Sequence, residues 1–169
     1  VQIPAGVAVL AKDFWSAKKG RDALQIVWDE SQGYKFNTAE QLSRYQKMAE
    51  EPGTETTKSG SIKAALKEAA KVVKASYTFP YLAHAAMEPM NCVVQLTDQG
   101  CEIWNGAQLQ TVDQLSVAKV LGIAPEQVKI NTVFAGGSFG RRGNPYSDYV
   151  VEAATIAKAA KNRVPIKMV

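Results

Sequence analysis

Residues 128–143 read VKINTVFAGGSFGRRG, in which an alternating apolar segment runs directly into a glycine-rich loop. The alternation over residues 128–134 predicts a strand, because successive side chains of a strand point to opposite faces of a sheet. After the loop, Asn144 followed by Pro145 predicts the start of a helix, since proline at the first helical position loses no hydrogen bond. The stretch therefore predicts a strand, a glycine-rich loop and a helix in succession.

The loop of residues 135–143, called the glycine loop below, has a composition suited to contact with an anion. Its glycines allow positive φ angles and close approach of the backbone to a ligand. N–H groups near a helix start attract anions, and Arg141 and Arg142 add donors suited to phosphate. The spacing matches neither the P-loop nor the Gly-x-Gly-x-x-Gly dinucleotide motif. On local sequence alone, a tight strand-to-helix turn and a binding loop are equally good interpretations.

Outward from this stretch, the sequence predicts further strands and helices in mixed order. Alternating or β-branched apolar residues predict strands at 7–10, 24–28, 73–79, 92–96, 101–104 and 164–169. Capping residues before apolar residues at helical spacing predict helices that begin after Asp13, Asn37, Ser61 and Thr111. Segment 50–61 is rich in proline, glycine and polar residues, which predicts an exposed linker. The expected fold class is therefore α+β, or mixed α/β.

The composition is that of an ordinary globular protein, with 46% hydrophobic and 21% charged residues. The net charge of +4 is spread along the chain, which favours a solvated surface over a nucleic-acid footprint. No segment is long and apolar enough to cross a membrane. A single histidine with two cysteines argues against a zinc or iron–sulfur site. We expect Cys92 and Cys101 to be small buried side chains, because the predicted hairpin does not place them opposite each other.

Two other segments carry polar residues that are able to take part in chemistry. Residues 81–92 hold His84 and Glu88, whose spacing is that of an acid–base pair on one helical turn. The favoured interpretation of that segment is a buried connector whose polar groups bond to the backbone. Gln108 follows a predicted strand and a glycine, where it either directs its amide at a ligand or faces solvent as an ordinary loop residue.

Taken in order, residues 84–91 (HAAMEPMN), 104–108 (WNGAQ) and 136–142 (GGSFGRR) resemble the xanthine dehydrogenase family of molybdenum hydroxylases. The resemblance is nearest to the branch of the isoquinoline 1-oxidoreductase beta subunit and related bacterial aldehyde dehydrogenases. Ser138 takes the place of the third glycine that is more usual there. A serine preserves the turn only if that position does not require a positive φ.

The N-terminal stretch resembles the end of the α/β hammerhead domain of the same family, through residues 6–11, 15–24 and 28–29. The resemblance therefore implies two parts. We expect a hammerhead-domain remnant at residues 1–58 and the first portion of a molybdopterin-binding domain at residues 59–169.

The resemblance also implies a function for the parent subunit. It implies a bound molybdopterin cofactor, in bacteria usually the cytosine dinucleotide form, and a partner subunit with two [2Fe–2S] clusters. It implies hydroxylation of an N-heterocycle or an aldehyde with water as the oxygen source, in either the cytoplasm or the periplasm. The expected cofactor-binding residues are Gln108, Gly136, Gly137, Phe139, Gly140, Arg141 and Arg142.

By resemblance, Gln108 hydrogen-bonds near the molybdenum, and Phe139 and Gly140 present their backbone to the metal centre. The family's catalytic glutamate lies far downstream of these motifs, so no catalytic residue and no metal ligand is expected among the 169 residues. Glu88 is not assigned that role. We expect the 169 residues alone neither to retain the cofactor nor to turn over, because a large cofactor needs contacts from several domains.

The alternative function is a stand-alone module that binds a phosphate or nucleotide and has no redox role. The reading frame on either side of the segment distinguishes the two functions. Long flanking sequence with further glycine-rich loops favours the enzyme, and a stop codon soon after Val169 favours the module.

Overall fold

The computed structural model describes residues 1–161 and 164–169, and these residues have the expected α+β fold. The strands are β1 (Gln2–Ile3), β2 (Gly6–Val7), β3 (Cys92–Thr97), β4 (Gly100–Asn105), β5 (Val128–Thr132) and β6 (Ile166–Met168). The helices are α1 (Phe14–Asp22), α2 (Thr38–Ala49), α3 (Ile62–Glu68), α4 (Gln110–Leu121) and α5 (Asp148–Ala160), with 3-10 turns at Pro125–Gln127 and Arg141–Gly143. No helix within the described ranges has the length and hydropathy of a membrane span.

The chain forms two compact units. The first unit combines Val1–Gln25 with Ala83–Val169, and the second is Ile26–Leu82. The resemblance to the family implies a domain boundary between residues 58 and 59. That boundary stays a prediction, because compact units of this chain are not the same thing as domains of the family.

A four-stranded sheet in the order β5-β4-β3-β6 forms the centre of the first unit. β3 and β4 form the predicted hairpin, in which Leu96 lies opposite Cys101. β6 pairs antiparallel with β3 at the other edge, which confirms the strand predicted at the end of the sequence. β4 and β5 are parallel and are joined through α4, so both strands end at the same edge of the sheet.

The core of the first unit lies between one face of this sheet and the helices α4 and α5. Alternate residues of the strands point into it, and α5 contributes a row of small side chains. The buried cluster consists of Cys92, Val94, Cys101, Ile103, Val117, Ala118, Val128, Tyr149, Val150, Ala153, Ala154 and Ala157. Both cysteines are free thiols, as expected. Burial raises the pKa of Cys92 to about 12 and that of Cys101 to about 11.

The predicted helices formed, but two of their starts differ from the prediction. Asp13, Asn37 and Ser61 each cap a helix, and Asn37 does so in a full capping box with Glu40. α4 begins at Gln110 rather than after Thr111, and it has no side-chain cap because its N-cap residue is Leu109, whose side chain is apolar. Gln114 Nε2 donates to the carbonyl of Val128 at 2.9 Å. α5 begins at Asp148 rather than at Pro145, since a 3-10 turn and a bend occupy the intervening residues.

Two predicted strands are absent and one is truncated. Residues 24–28 and 73–79 are extended or irregular without a ladder partner, and strand structure at 7–10 is limited to Val7. Alternation alone does not make a strand, since the backbone groups need a neighbouring strand to pair with. The side chains of Val73, Tyr77 and Phe79 are accordingly exposed.

The second unit holds α2, α3 and the exposed loop between them, in agreement with the linker predicted at 50–61. None of its residues is buried, although it carries several aromatic side chains. The hydroxyl groups of Tyr81 and Tyr45 are hydrogen-bonded at 2.8 Å.

Candidate functional site

The expected cofactor-binding residues of the first unit converge at one edge of the sheet. The glycine loop follows β5, and Gln108 follows β4, its parallel neighbour. Side chains at the carboxyl ends of neighbouring parallel strands lie close together, which brings Gln108 against the loop. Ser138 Oγ donates a short hydrogen bond to Gln108 Oε1.

The glycine loop has an unusual backbone. Gly137 and Gly140 have φ angles of 98° and 93°, and the non-glycine Phe139 has a φ of 54°. Ser138 does not have a positive φ, so serine is compatible with this position of the turn. A left-handed residue other than glycine or asparagine is strained, and such strained residues cluster at active sites and ligand-binding turns. Phe139 and the glycines Gly136 and Gly140 are exposed, so the backbone of the loop is accessible at these glycines.

The two arginines of the loop point in different directions. Arg141 pairs with Asp148 at the start of α5, at 2.9 Å, and is partly exposed. The Arg142 side chain is fully buried beneath the loop. Its Nε donates to the carbonyl of Gly137 at 3.1 Å, and its Nη2 donates to the carbonyl of Glu88 at 3.2 Å. Arg142 is therefore bound to the loop from below rather than extended towards solvent.

Glu88 supports the loop from the side. Its Oε2 accepts from Gly136 N at 2.6 Å, its Oε1 accepts from Asn91 Nδ2 at 2.8 Å, and Arg142 Nη2 lies 3.3 Å from Oε1. The hydrogen bonds from Asn91 and Gly136 and the charge of Arg142 lower the pKa of Glu88, which is therefore a carboxylate at neutral pH. A backbone hydrogen bond joins the same two residues, since Glu88 N donates to the carbonyl of Gly136 at 3.3 Å.

This use of Glu88 bears on the acid–base alternative for residues 81–92. The Glu88 carboxylate is bound to the loop backbone, as expected of a connector whose polar groups bond to main chain. The expected burial of this segment is wrong, since Tyr81, Leu82 and Met87 are exposed. His84 is exposed, and its Nε2 lies 4.0 Å from a Cβ built on Gly140. The supporting role of Glu88 was not visible in the sequence, because 48 residues separate it from Gly136.

The packing around the loop leaves no room for side chains at two glycines. A Cβ on Gly136 would lie 2.7 Å from Glu88 Cβ. A Cβ on Gly106 would lie 2.6 Å from Ala135 Cβ and 3.2 Å from Arg142 Nη1, a buried nitrogen without a hydrogen-bond partner in the described part of the chain. Glycine at both positions therefore lets three chain segments close around the Arg142 guanidinium.

A buried polar cluster lies at the end of β4, just before Gly106. Asn105 Nδ2 donates to the hydroxyl of Tyr149 at 3.0 Å and contacts Asp113 Oδ2 at 3.5 Å. All three residues are almost completely buried. Burial raises the pKa of Asp113 and that of Tyr149. The cluster ties the end of β4 to the first turns of α4 and α5.

The Asp113→Asn variant is expected to change how stability depends on pH. Burial raises the pKa of Asp113 in the folded protein. The contribution of Asp113 to the free energy of unfolding is therefore fully present below the ordinary aspartate pKa of about 4, and it is lost as pH rises through the folded pKa. The free energy of unfolding of the original chain relative to Asp113→Asn should therefore fall as pH rises above about 4. Urea unfolding at a series of pH values measures it, with the exposed Glu126→Gln as the control. A difference that stays constant with pH would contradict the prediction.

No group of three or more metal-ligating side chains occurs within residues 1–161 and 164–169. The features of the site are therefore an accessible, strained loop backbone, one adjacent amide side chain and a buried cation below. This arrangement suits a ligand that is held by backbone N–H and amide donors.

Comparison with known proteins gives the family. A model of the molybdopterin cofactor-binding domain matches residues 45–169. The crystal structure of quinoline 2-oxidoreductase from Pseudomonas putida 86 superposes with a TM-score of 0.51 at 19% identity, over 63% of this chain and 14% of that one. The structural likeness supports the fold.

Curated relatives agree with this family. The beta subunit of isoquinoline 1-oxidoreductase from Brevundimonas diminuta is 26% identical over 98% of this chain and 22% of its own length. The molybdenum-binding subunit of an Escherichia coli K12 aldehyde oxidoreductase is 26% identical over 95% of this chain and 21% of its own. A membrane-bound aldehyde dehydrogenase of Gluconacetobacter polyoxogenes, whose name specifies pyrroloquinoline quinone, is 27% identical over 96% of this chain and 21% of its own. The chain thus spans about a fifth of the length of these relatives.

Proposed function

Because the chain belongs to the molybdopterin cofactor-binding domain family, we propose that it forms one wall of the cofactor site in the large subunit of a molybdenum hydroxylase. The observation that carries this proposal is the accessible glycine-loop backbone beside Gln108, held from below by Arg142 and Glu88. The resemblance of residues 84–91, 104–108 and 136–142 to that family supports it.

The residues at the site fit such a cofactor. Molybdopterin carries oxygen, sulfur and phosphate acceptors, and the loop offers the N–H groups of Phe139 and Gly140, two exposed residues whose N–H groups donate none of the backbone hydrogen bonds of the described ranges. The Gln108 Nε2 group makes no hydrogen bond within the described ranges, so it is available as a donor. Gly136, Gly137, Phe139, Gly140 and Gln108 would meet the cofactor directly.

The two arginines take different parts in this proposal. Arg141 is partly exposed and would lie beside the cofactor, with its charge shared with Asp148. Arg142 would act from beneath the loop, since its guanidinium already donates to the carbonyls of Gly137 and Glu88. Both cations would attract an anionic cofactor. Arg141 would do so from the exposed side of the loop, and Arg142 from its buried side.

The reaction we propose for the intact enzyme is hydroxylation of an N-heterocycle or an aldehyde. The substrate carbon exchanges its C–H bond for a C–O bond to an oxygen of water, and two protons and two electrons are released. The bound cofactor supplies oxygen transfer from water and acceptance of the electron pair. The electrons pass to [2Fe–2S] clusters of a partner subunit, and the cofactor is the cytosine dinucleotide form. Residues 1–58 belong to a hammerhead domain, and residues 59–169 open the cofactor-binding domain.

The experiment is purification of the full-length subunit with its partner, followed by elemental analysis and assay. Molybdenum near one per subunit, and dye-linked oxidation of isoquinoline or benzaldehyde with incorporation of oxygen from ¹⁸O-labelled water, are expected. Pyrroloquinoline quinone in place of molybdenum would overturn the proposal. A purified 169-residue chain should contain no molybdenum and should not turn over, because the other walls of the site lie outside it.

The Gln108→Ala variant of the full-length enzyme is expected to lose about tenfold to 100-fold in kcat/KM, the usual effect of removing a group that contacts a metal centre indirectly. Molybdenum content should stay near that of the original enzyme, since the loop backbone remains. Gln99→Ala is the matched control, because Gln99 lies in the turn at the opposite end of β4. An unchanged kcat/KM in Gln108→Ala would remove Gln108 from the site.

A further inference from the structure

A short chain of hydrogen bonds leads from the backbone of the glycine loop to the Gln108 side chain. Arg142 N donates to Ser138 Oγ at 3.2 Å, and Ser138 Oγ donates to Gln108 Oε1. Gln108 Oε1 is only an acceptor, so the hydroxyl directs its single proton to Gln108 while one of its two lone pairs accepts from Arg142 N. The second hydrogen bond therefore runs from Ser138 to the amide oxygen of Gln108.

This direction determines which end of the Gln108 amide faces outwards. With Oε1 held by Ser138, the Nε2 donors are turned away from the loop hydroxyl. In the reversed amide, Nε2 would donate to the hydroxyl, which would then accept from both Gln108 and Arg142 N and would have to turn its proton to a different acceptor. Gly143 lies beside Gln108, since a Cβ built on Gly143 would be 3.5 Å from Gln108 Oε1 and 3.6 Å from Gln108 Cβ.

We propose that Ser138 is a positioning residue that fixes the polarity of the Gln108 amide, so that Gln108 presents hydrogen-bond donors to an acceptor atom of the bound cofactor. The proposal rests on the proposed function, and it gives a role to the serine that replaces the glycine expected at this position. A glycine there would leave the amide free to turn over, because it offers no hydroxyl. The orientation of the amide matters because an N–H group stabilises a nearby oxygen atom, whereas a carbonyl oxygen in the same position repels it.

The first test uses the 169-residue chain and needs no cofactor. In ¹⁵N-labelled protein, the two Nε2 protons of Gln108 should show no nuclear Overhauser contact with the β protons of Ser138, and Ser138→Thr should preserve that pattern. Ser138→Ala should allow the amide to turn over and bring the contact to residue 138 into view. A strong contact between the Nε2 protons and Ser138 in the original chain would overturn the proposal.

The second test uses the full-length enzyme with isoquinoline and benzaldehyde as probes. Ser138→Ala should lower kcat/KM roughly threefold to tenfold, the effect of one hydrogen bond, while Ser138→Thr stays within about twofold. The reduction potential of the bound cofactor should shift in Ser138→Ala and not in Ser138→Thr, although molybdenum content is the same. Gln108→Glu keeps the contact with Ser138 but loses the donors, so it should fall at least as far as Ser138→Ala.

Ser116→Ala on α4 serves as the control for loss of a hydroxyl elsewhere in the unit. Unchanged kcat/KM and potential in Ser138→Ala, with molybdenum present, would overturn the positioning role. Absence of molybdenum from the original enzyme would overturn the proposed function instead. The proton contacts in the isolated chain then still decide the role of Ser138.

Discussion

Replacing Gly100 by alanine is expected to lower the free energy of unfolding of the first unit by about 3 kcal/mol or more. A Cβ at this position would lie 2.0 Å from the carbonyl oxygen of Gln127, and the φ of Gly100 is +152°. The clash is with backbone, so no side chain is able to move aside. Gln127 in turn donates to the carbonyl of Gln99 at 3.1 Å, which holds the hairpin turn against the 3-10 turn before β5.

The measurement is protection of Cys92 and Cys101 from a thiol reagent at increasing urea, since both thiols lie in the core of the first unit. Two glycine variants separate the causes. Gly122→Ala has a φ of +75° and open space, so it should lose only about 1 kcal/mol to backbone strain. Gly143→Ala, also in the first unit, would meet only ordinary contacts at 3.5 Å or more and has no such φ, so it should change little. A Gly100→Ala variant as stable as Gly122→Ala would contradict the clash.

Local signals in the sequence predicted those parts of the fold that local chemistry determines. The capping residues Asp13 and Asn37 and the hairpin formed by residues 92–96 and 101–104 rest on interactions within a few residues. Such interactions are the same in any protein, so a short window of sequence contains them.

Strands that depend on a distant partner were predicted with mixed success. The alternating residues 73–79 have the pattern of a strand, yet no described strand pairs with them. Conversely, β6 exists because β3 offers it an edge, with Cys92 opposite Met168. Sheet formation is a property of two segments, so the pattern of one segment does not settle it.

The same distinction applies to the site. Parallel pairing of β4 and β5 brings Gln108 to the glycine loop, in keeping with the ordered motifs of the sequence. The burial of Arg142 and its attachment to Glu88 were not predicted, since arginine is usually exposed and nothing local marks one as a support. Gly106 leaves part of the space that the Arg142 guanidinium occupies, since a Cβ on Gly106 would lie 3.2 Å from Arg142 Nη1.

The Glu88–Arg142 pair should give the largest effect on the site. Arg142→Met is expected to destabilise the first unit by about 3 kcal/mol, because it removes a buried cation from its partner and leaves two backbone carbonyls without donors. In the full-length enzyme, Glu88→Gln should lower molybdenum content or kcat/KM about tenfold to 100-fold. The free energy of unfolding of the double variant should fall by less than the sum of the decreases in the two single variants, because Glu88 and Arg142 support the same loop.

Glu102→Gln is the matched control for Glu88→Gln. Glu102 also pairs with a cation, Lys129, at 3.3 Å, and its side chain is 35% exposed against 37% for Glu88. A surface ion pair of this kind contributes less than about 1 kcal/mol, so the control should behave like the original protein. Equal losses in the two variants would mean that Glu88 has no special connection to the loop.

The dependence on pH separates support of the loop from acid–base catalysis by Glu88. The folded pKa of Glu88 is lowered, so its contribution to stability is present above the ordinary glutamate pKa of about 4 and is lost as pH falls through the folded value. The stability difference between the original chain and Glu88→Gln should therefore shrink in acid. Support also predicts faster hydrogen exchange at Gly136 N in the variant, since that N–H loses its charged acceptor. A group acting on substrate would instead shift the pH profile of turnover while the cofactor remained fully bound.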